Sequence, residues 1–276
     1  MKKDRINNII FFIVLSFGCV VMIGPLVWMV STSFKTKTGV LALPPQWIPN
    51  PFTIDAYKRL LELETIFSGI KNTILVSLSV TTLGTITSSL AAFSFAKLRL
   101  PFKNLIFLLL LVALMIPYPT LMIPQFVMFS KIGWVDTLLP LIVPGVFGNI
   151  TMIFFLRQYL SNVPDSAIEA AKIDGAGYLQ IFVKIILPSI KPAIAAQFIL
   201  WFMGVWNDYL APLIYLNSPE KQTLQVVIAS LNSQFALQTD YPLIMAASVI
   251  SIIPVLLVFI IFQKQIVESI ALSGGK

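Results

Sequence analysis

Five stretches of the chain pass 20 or more positions without a charged residue: Ile6 to Phe34, Asn72 to Ala96, Asn104 to Ser130, Thr137 to Leu156 and Tyr241 to Gln263. A sixth, Pro192 to Pro219, is interrupted only by Asp208. A helix rises 1.5 Å per residue, so about 20 apolar residues cross about 30 Å of hydrocarbon. A charge at mid-bilayer costs about 2.5–3.5 kcal/mol on insertion scales, which makes charge-free runs a good ruler. The pattern predicts an all-α integral membrane protein. Its six transmembrane helices are expected near 8–33, 72–96, 104–127, 137–156, 192–216 and 241–263, within one transmembrane domain covering 1–276.

The first run follows Lys2, Lys3 and Arg5, as the core of a secretory signal would. A signal core is only about 7–15 residues long and ends at a small-residue cleavage site. Here the apolar run continues through Gly24-Pro25-Leu26-Val27-Trp28 with no A-x-A pattern. It reads as a retained helix.

Composition agrees. The chain of 276 residues is 57% apolar and 11% charged, with mean hydropathy +0.89, whereas a soluble domain carries about 25% charged residues. It has no histidine and one cysteine. Imidazole bases, Ser-His-Asp and Cys-His nucleophiles and histidine metal ligands are therefore excluded. Cys19 lies in mid-span with no disulfide partner and is expected to be a small buried apolar residue.

Six spans put both termini on one side, so the charges can be sorted. The terminal side holds Lys2, Lys3, Arg5, Lys97, Arg99, Lys103, Arg157, Lys172, Lys184, Lys191, Lys264 and Lys276 against five acids, a net +7. The other side holds seven Lys and Arg against six acids, a net +1. The positive-inside rule places both termini in the cytoplasm. The basic surplus is thus a topology signal, not a nucleic-acid footprint, and membrane lipid is the surrounding solvent.

The loops are unequal. The external segment Lys35 to Lys71 is rich in Pro and Trp before an amphipathic stretch around Tyr57 to Leu63, and is expected to lie along the outer interface. The external segment Asn217 to Asp240 is rich in Gln and Asn. The cytoplasmic segment 157–191 is far longer than the 2–8 residues usual between bundled helices, and loops of that size tend to be functional. Pro164 and Asp165 suit a first helical turn. Gly175 and Gly177 stop that helix. A second helix, Tyr178 to Leu187, is expected to carry Leu179, Phe182, Val183 and Ile186 on one stripe and to end at Pro188. The result is a helix–turn–helix with an apolar face for the bundle and small residues, Ala170 and Ala171, at its tip, where a cytoplasmic partner can approach closely.

The order Glu169-Ala170-Ala171, Asp174-Gly175-Ala176, Phe182 and Pro188 resembles the coupling motif, or EAA loop, of ATP-binding-cassette (ABC) importer permeases. Met115-Ile116-Pro117 to Lys131-Ile132-Gly133-Trp134, Trp206-Asn207-Asp208-Tyr209-Leu210-Ala211-Pro212 and the tail Phe262 to Lys276 resemble the second permease subunit of carbohydrate importers, the maltose-permease type. The resemblance covers most of the chain. It implies the type I importer permease fold, location in a bacterial cytoplasmic membrane, and ATPase coupling through Glu169, Ala170, Ala171, Asp174, Gly175 and Ala176. It also implies a different permease subunit as the other half of the pore, two ATP-binding-cassette ATPase subunits and an extracytoplasmic solute-binding protein. By the same resemblance, the tail 263–276 reaches between the ATPases and the 217–240 segment enters the binding protein's cleft. The other reading of both segments is ordinary solvated chain.

The chain has no driver of its own. A Walker A loop needs G-x-x-x-x-G-K-[ST], and the one Gly-Lys pair is Gly275-Lys276. The chain is expected to be a transporter subunit and not an enzyme, binding no cofactor, with ATP and Mg on the partner ATPases. Asn207, Asp208 and Tyr209 are candidates for the translocation pathway, because an intramembrane acid is functional by default. The alternative is that Asp208 sits near the outer interface and pairs with Asn207 or with the other permease subunit. The hydroxyls of Ser77, Thr81, Thr82, Thr85, Thr87, Ser88 and Ser89 either line a route for hydroxyl-rich solute or bond their own helix. Oligosaccharide, monosaccharide and glycerol phosphate all remain open as solutes. An ion-coupled secondary transporter is the competing reading, with thin support from one acid; a membrane enzyme lacks clustered catalytic groups.

Overall fold

The structure, a computed structural model, describes residues 2–234 and 239–274. Every regular element among the described residues is helical. In chain order they are α1 (Lys2–Ser33), α2 (Lys37–Val40), α3 (Asp55–Leu61), α4 (Glu64–Lys97), α5 (Lys103–Leu114), α6 (Tyr118–Lys131), α7 (Leu139–Val146) and α8 (Ile150–Leu160). There follow α9 (Asp165–Ile173), α10 (Tyr178–Ile181), a π-helical turn (Phe182–Ile186), α11 (Leu187–Ser189), α12 (Lys191–Trp206), α13 (Leu210–Tyr215), α14 (Leu224–Gln234) and α15 (Tyr241–Gly274).

Four stretches are each long and apolar enough to cross a membrane: Asn7–Ser33, Glu64–Lys97, Leu139–Leu160 and Tyr241–Gln265. Two bent pairs raise the number to six if each is one span: Lys103–Leu114 with Tyr118–Lys131, bent by 98°, and Tyr178–Ser189 with Lys191–Trp206, bent by 78°. The run at 104–127 is therefore not a straight helix, and the run at 192–216 is broken between α12 and α13, the 78° bend lying ahead of it at Ile190. In the first, Pro117 has no N–H to continue α5 and biases Ile116 away from helix; it stands extended, φ −62° and ψ 133°, ahead of α6. In the second, α12 stops at Trp206 because Asp208 starts a new helix. Its Oδ1 accepts the N–H groups of Leu210 (3.1 Å) and Ala211 (3.3 Å), as an N-cap carboxylate does.

The chain divides into two compact units. In the first, Met1–Phe67 with Val227–Pro254, the Pro- and Trp-rich segment folds over the end of α1. Ser31 Oγ donates to the Trp47 carbonyl (2.5 Å), Phe34 stacks on Phe52 (4.9 Å), and Ser33 Oγ shares a hydrogen bond with the Tyr57 hydroxyl (2.8 Å). The fully buried Asp240 carboxylate is held by Arg59 and by Lys37 (2.8 Å), so its desolvation is offset by two cations. None of the most apolar window of α1 is buried. Cys19 is accordingly exposed, contrary to expectation: the apolar window of α1 has no packing partner among the described residues, which leaves its faces open.

In the second unit, Ser68–Val226 with Val255–Lys276, the main core gathers Ala92 and Phe93 of α4, Met152, Leu156 and Leu160 of α8, and Ile168, Ile181, Phe182 and Ile186 of the 157–191 loop. Helix α4 fits here through a close approach at Gly84, where a Cβ would run into the Trp201 ring and the Gly145 carbonyl. Its hydroxyls bond within the helix: Ser77 to Thr73 O (2.6 Å), Thr81 to Ser77 O (2.6 Å) and Ser89 to Thr85 O (2.7 Å). Thr87 Oγ1 bonds both its own helix, at Gly84 O (3.0 Å), and the neighbouring turn, at Val146 O (2.8 Å), and Ser88 Oγ accepts from Asn149 N of that turn (2.8 Å). Near the other end of this unit, Asp136 accepts from Asn217 N (2.9 Å), from Ser218 N (2.9 Å) and Oγ (2.6 Å), and from Lys221 Nζ (3.0 Å).

Candidate functional site

The 157–191 loop is built as a reversal. Lys97, at the end of α4, donates to the Val163 carbonyl (2.6 Å) and to Asp165 (2.7 Å) and so fastens the start of α9. That lysine holds the Asp165 carboxyl below its ordinary range. Helix α9 buries Ile168 alone. It is closed by backbone groups: Gly175 N donates to Lys172 O (3.0 Å) and Ala176 N to Ala171 O (2.9 Å), the two bonds of a Schellman motif. Gly175 makes this geometry at φ +81°, a conformation that costs a residue with a Cβ and is forbidden to proline. Ala171 and Ala176 pack side by side against the core, the apolar contact that accompanies such a turn.

The second helix differs from its expected form. Ile181, Phe182 and Ile186 are buried, while Leu179 is 70% and Val183 50% exposed. The expected stripe assumed a uniform 3.6-residue period. The π-helical turn over Phe182–Ile186, with Leu187 N donating to Phe182 O, widens the helix by one residue per turn and moves the inward face. The same shift carries the helix through Pro188 to Ser189 rather than ending it at the proline. The tip of the loop now carries Ala170, the Glu169 and Asp174 carboxylates, and the apolar side chains Ile173 and Leu179, all exposed. Among the described residues, neither carboxylate side chain has a hydrogen bond or ion pair.

The three pathway candidates fare differently. Asn207 Nδ2 donates to Met203 O (2.8 Å) and its Oδ1 accepts from Gln225 (3.3 Å), so it caps the end of α12. Tyr209 is exposed. Asp208 is half-buried and lines a cavity of about 200 Å³ together with Tyr118 and Gln125 of α6, Tyr215 of α13, Thr73 of α4 and Thr223. Sequence reasoning missed Tyr118, Gln125, Tyr215 and Thr223. Their signal was faint: a tyrosine just after the helix-breaking Pro117, and a glutamine inside an apolar run.

Residues 84–271 match the family described as binding-protein-dependent transport system inner membrane components, and the chain belongs to that family. Among its relatives, the arabinooligosaccharides transport system permease protein of Halalkalibacterium halodurans is 30% identical over 281 residues, covering 100% of both chains. The lactose transport system permease protein of Rhizobium radiobacter is 30% identical over 267 residues, covering 96% of each. The fold is shared with a chain of a bacterial ABC transporter involved in the import of the acidic polysaccharide alginate, at TM-score 0.84 and 24% identity over 96% of this chain and 98% of that one.

Proposed function

We propose that the chain is the pore-forming permease subunit of an ATP-driven, binding-protein-dependent carbohydrate importer, and that its 157–191 loop docks on a cytoplasmic ATPase. The observation that carries the coupling role is the tip of that loop. Its turn is closed by backbone bonds, so Glu169, Ala170, Asp174 and the exposed Ile173 and Leu179 are available to another surface. A rigid reversal with an apolar, acid-edged tip transmits a push without deforming. The carbohydrate assignment rests on the names of relatives aligned over nearly the whole chain.

In this reading Lys103–Leu114 with Tyr118–Lys131 is one span and α12 with α13 is another, while Tyr178–Ser189 belongs to the cytoplasmic loop. Six spans and the charge asymmetry put both termini in the cytoplasm of a cell bounded by an inner membrane. The partners are a different permease subunit, two ATPase subunits that bind ATP and Mg, and an extracytoplasmic solute-binding protein. The 217–240 segment faces that protein and the 263–276 tail faces the ATPases; residues 235–238, 275 and 276 of these segments lie outside the described residues. ATP hydrolysis belongs to the partners.

The test is uptake by the reconstituted complex in sealed vesicles holding ATP and no ion gradient, with the binding protein loaded with arabinooligosaccharide or lactose outside. ATP-dependent accumulation of either solute is the expected result. Uptake that needs a proton or sodium gradient would overturn the reading.

A further inference from the structure

The cavity beside Asp208 has a polar inventory that points to a ligand. The Tyr215 hydroxyl donates to Gln125 Oε1 (3.2 Å), which fixes the amide of Gln125 with its NH₂ group unpaired among the described residues. Asp208 uses Oδ1 as the cap of α13 and leaves Oδ2 without a partner. Thr223 is 4% exposed and its hydroxyl has no hydrogen bond. A buried hydroxyl left unpaired costs about 1–3 kcal/mol, so a group that satisfies it is favoured.

We infer that this cavity holds one ring of a neutral polyhydroxylated solute, bound by Gln125, Asp208, Thr223 and Tyr118. The unpaired atoms form a mixed set: two amide donors, a carboxylate acceptor and hydroxyls that do both. Sugar hydroxyls each donate and accept, and match such a set; an ammonium or a phosphate would satisfy one half of it. No lysine or arginine lines the cavity, so a phosphate-bearing solute would meet the Asp208 carboxylate with no compensating cation. Val76, Leu141, Val205 and Pro212 on the walls suit the C–H faces of a ring. The volume lies below the ~300–1,000 Å³ of drug-sized sites, which selects a single ring and not an oligomer.

This deepens the carbohydrate reading and rests on it, but it is measured on the chain alone, so the two can fail separately. A single cysteine is placed on the cavity wall of the full chain in lipid nanodiscs, as Leu141→Cys and independently as Val205→Cys, each with Cys19→Ser. The rate of modification by methyl methanethiosulfonate is then followed with D-glucose, L-arabinose or inorganic phosphate. At about 100 mM, one of the two sugars should slow modification about threefold at both positions, the protection given by a Kd of about 50 mM. Phosphate should not, and an exposed control, Ser166→Cys, should be unaffected. Gln125→Leu should abolish the protection. No slowing by either sugar, equal slowing by phosphate, or protection that survives Gln125→Leu would overturn the assignment. Failure of one cysteine variant to fold leaves the other to decide.

Discussion

At Asp174-Gly175-Ala176 the chain closes a helix with backbone groups, while at Asn207-Asp208-Tyr209 it ends one helix and starts the next with side chains. The first turn uses Gly175 N and Ala176 N, and the neighbouring carboxylates Glu169 and Asp174 keep no partner within the described chain. The second uses Asn207 on the Met203 carbonyl and Asp208 on Leu210 and Ala211. A side chain that caps its own helix cannot change without changing the fold. One left idle by backbone closure can serve a partner at no cost to the chain. Substitution should therefore lower stability at the capping side chains, and lower function without stability at the idle carboxylates.

The largest effect is expected where the backbone turn itself is broken. Gly175→Pro removes a hydrogen bond and demands a φ that proline cannot reach. Solute accumulated per ATP hydrolysed should fall by about 5–150-fold, the range of ordinary coupling energies, while membrane insertion, read by protease protection, stays normal. A bulky residue at Ala171, whose side chain packs under the turn, should act in the same direction. Undiminished uptake in both would break the comparison.

Next come the idle carboxylates. Glu169→Gln and Asp174→Asn should leave thermal unfolding in detergent unchanged within about 0.5 kcal/mol, as for surface positions, yet lower ATP-coupled uptake by about fivefold, the low end of ordinary coupling energies. If either change lowers stability instead, the side chain has an internal role and the contrast fails.

Asp208 should behave in reverse. Asp208→Ala loses the cap of α13 and should cost about 1 kcal/mol of stability. Asp208→Asn keeps an oxygen for the same two N–H groups and should cost a few tenths of that. The measurement is the midpoint of thermal unfolding of the full chain in detergent. Equal losses in the two variants would argue that charge, and not capping, is what the site needs.

The smallest effect is on pH dependence. Ser218, aided by Lys221 and Asn217, holds Asp136 well below the ordinary carboxylate range, and Lys97 lowers Asp165. A depressed carboxylate contributes stability that is full above the unfolded value of about 3.9 and is lost as pH falls through the folded one. The unfolding midpoint should thus be flat from neutral pH to about pH 5 and decline below about pH 4. Asp136→Asn should remove part of that decline.

The sequence made the spans legible because charge-free length is a direct consequence of bilayer thickness. It made the loop legible because Pro164, Asp165, Gly175 and Gly177 fix a helix start and stop through backbone chemistry that acts locally. It failed where a local rule met a non-local one. The face of the second loop helix was misread because a π-helical turn is invisible to a period of 3.6. The break between α12 and α13 is hidden from a charge-free ruler because Asp208 reads as an intramembrane charge and not as a helix cap. The cavity was not legible at all: Tyr118 and Gln125 of α6, Tyr215 of α13 and Thr223 come from three separate segments, and only tertiary packing brings them together.

The central claim is that the exposed tip of the 157–191 loop meets an ATPase. It is tested most directly by cross-linking from Ala170→Cys, in a Cys19→Ser background, within the intact complex by a short reagent that is thiol-reactive at one end and photoreactive at the other, with Ser189→Cys as a control. The account predicts a covalent adduct between this chain and the ATPase subunit from Ala170→Cys, with a yield that changes on ATP addition, and none from the control. An ATPase-competent complex that yields no adduct at position 170, or yields it equally at 189, would contradict it.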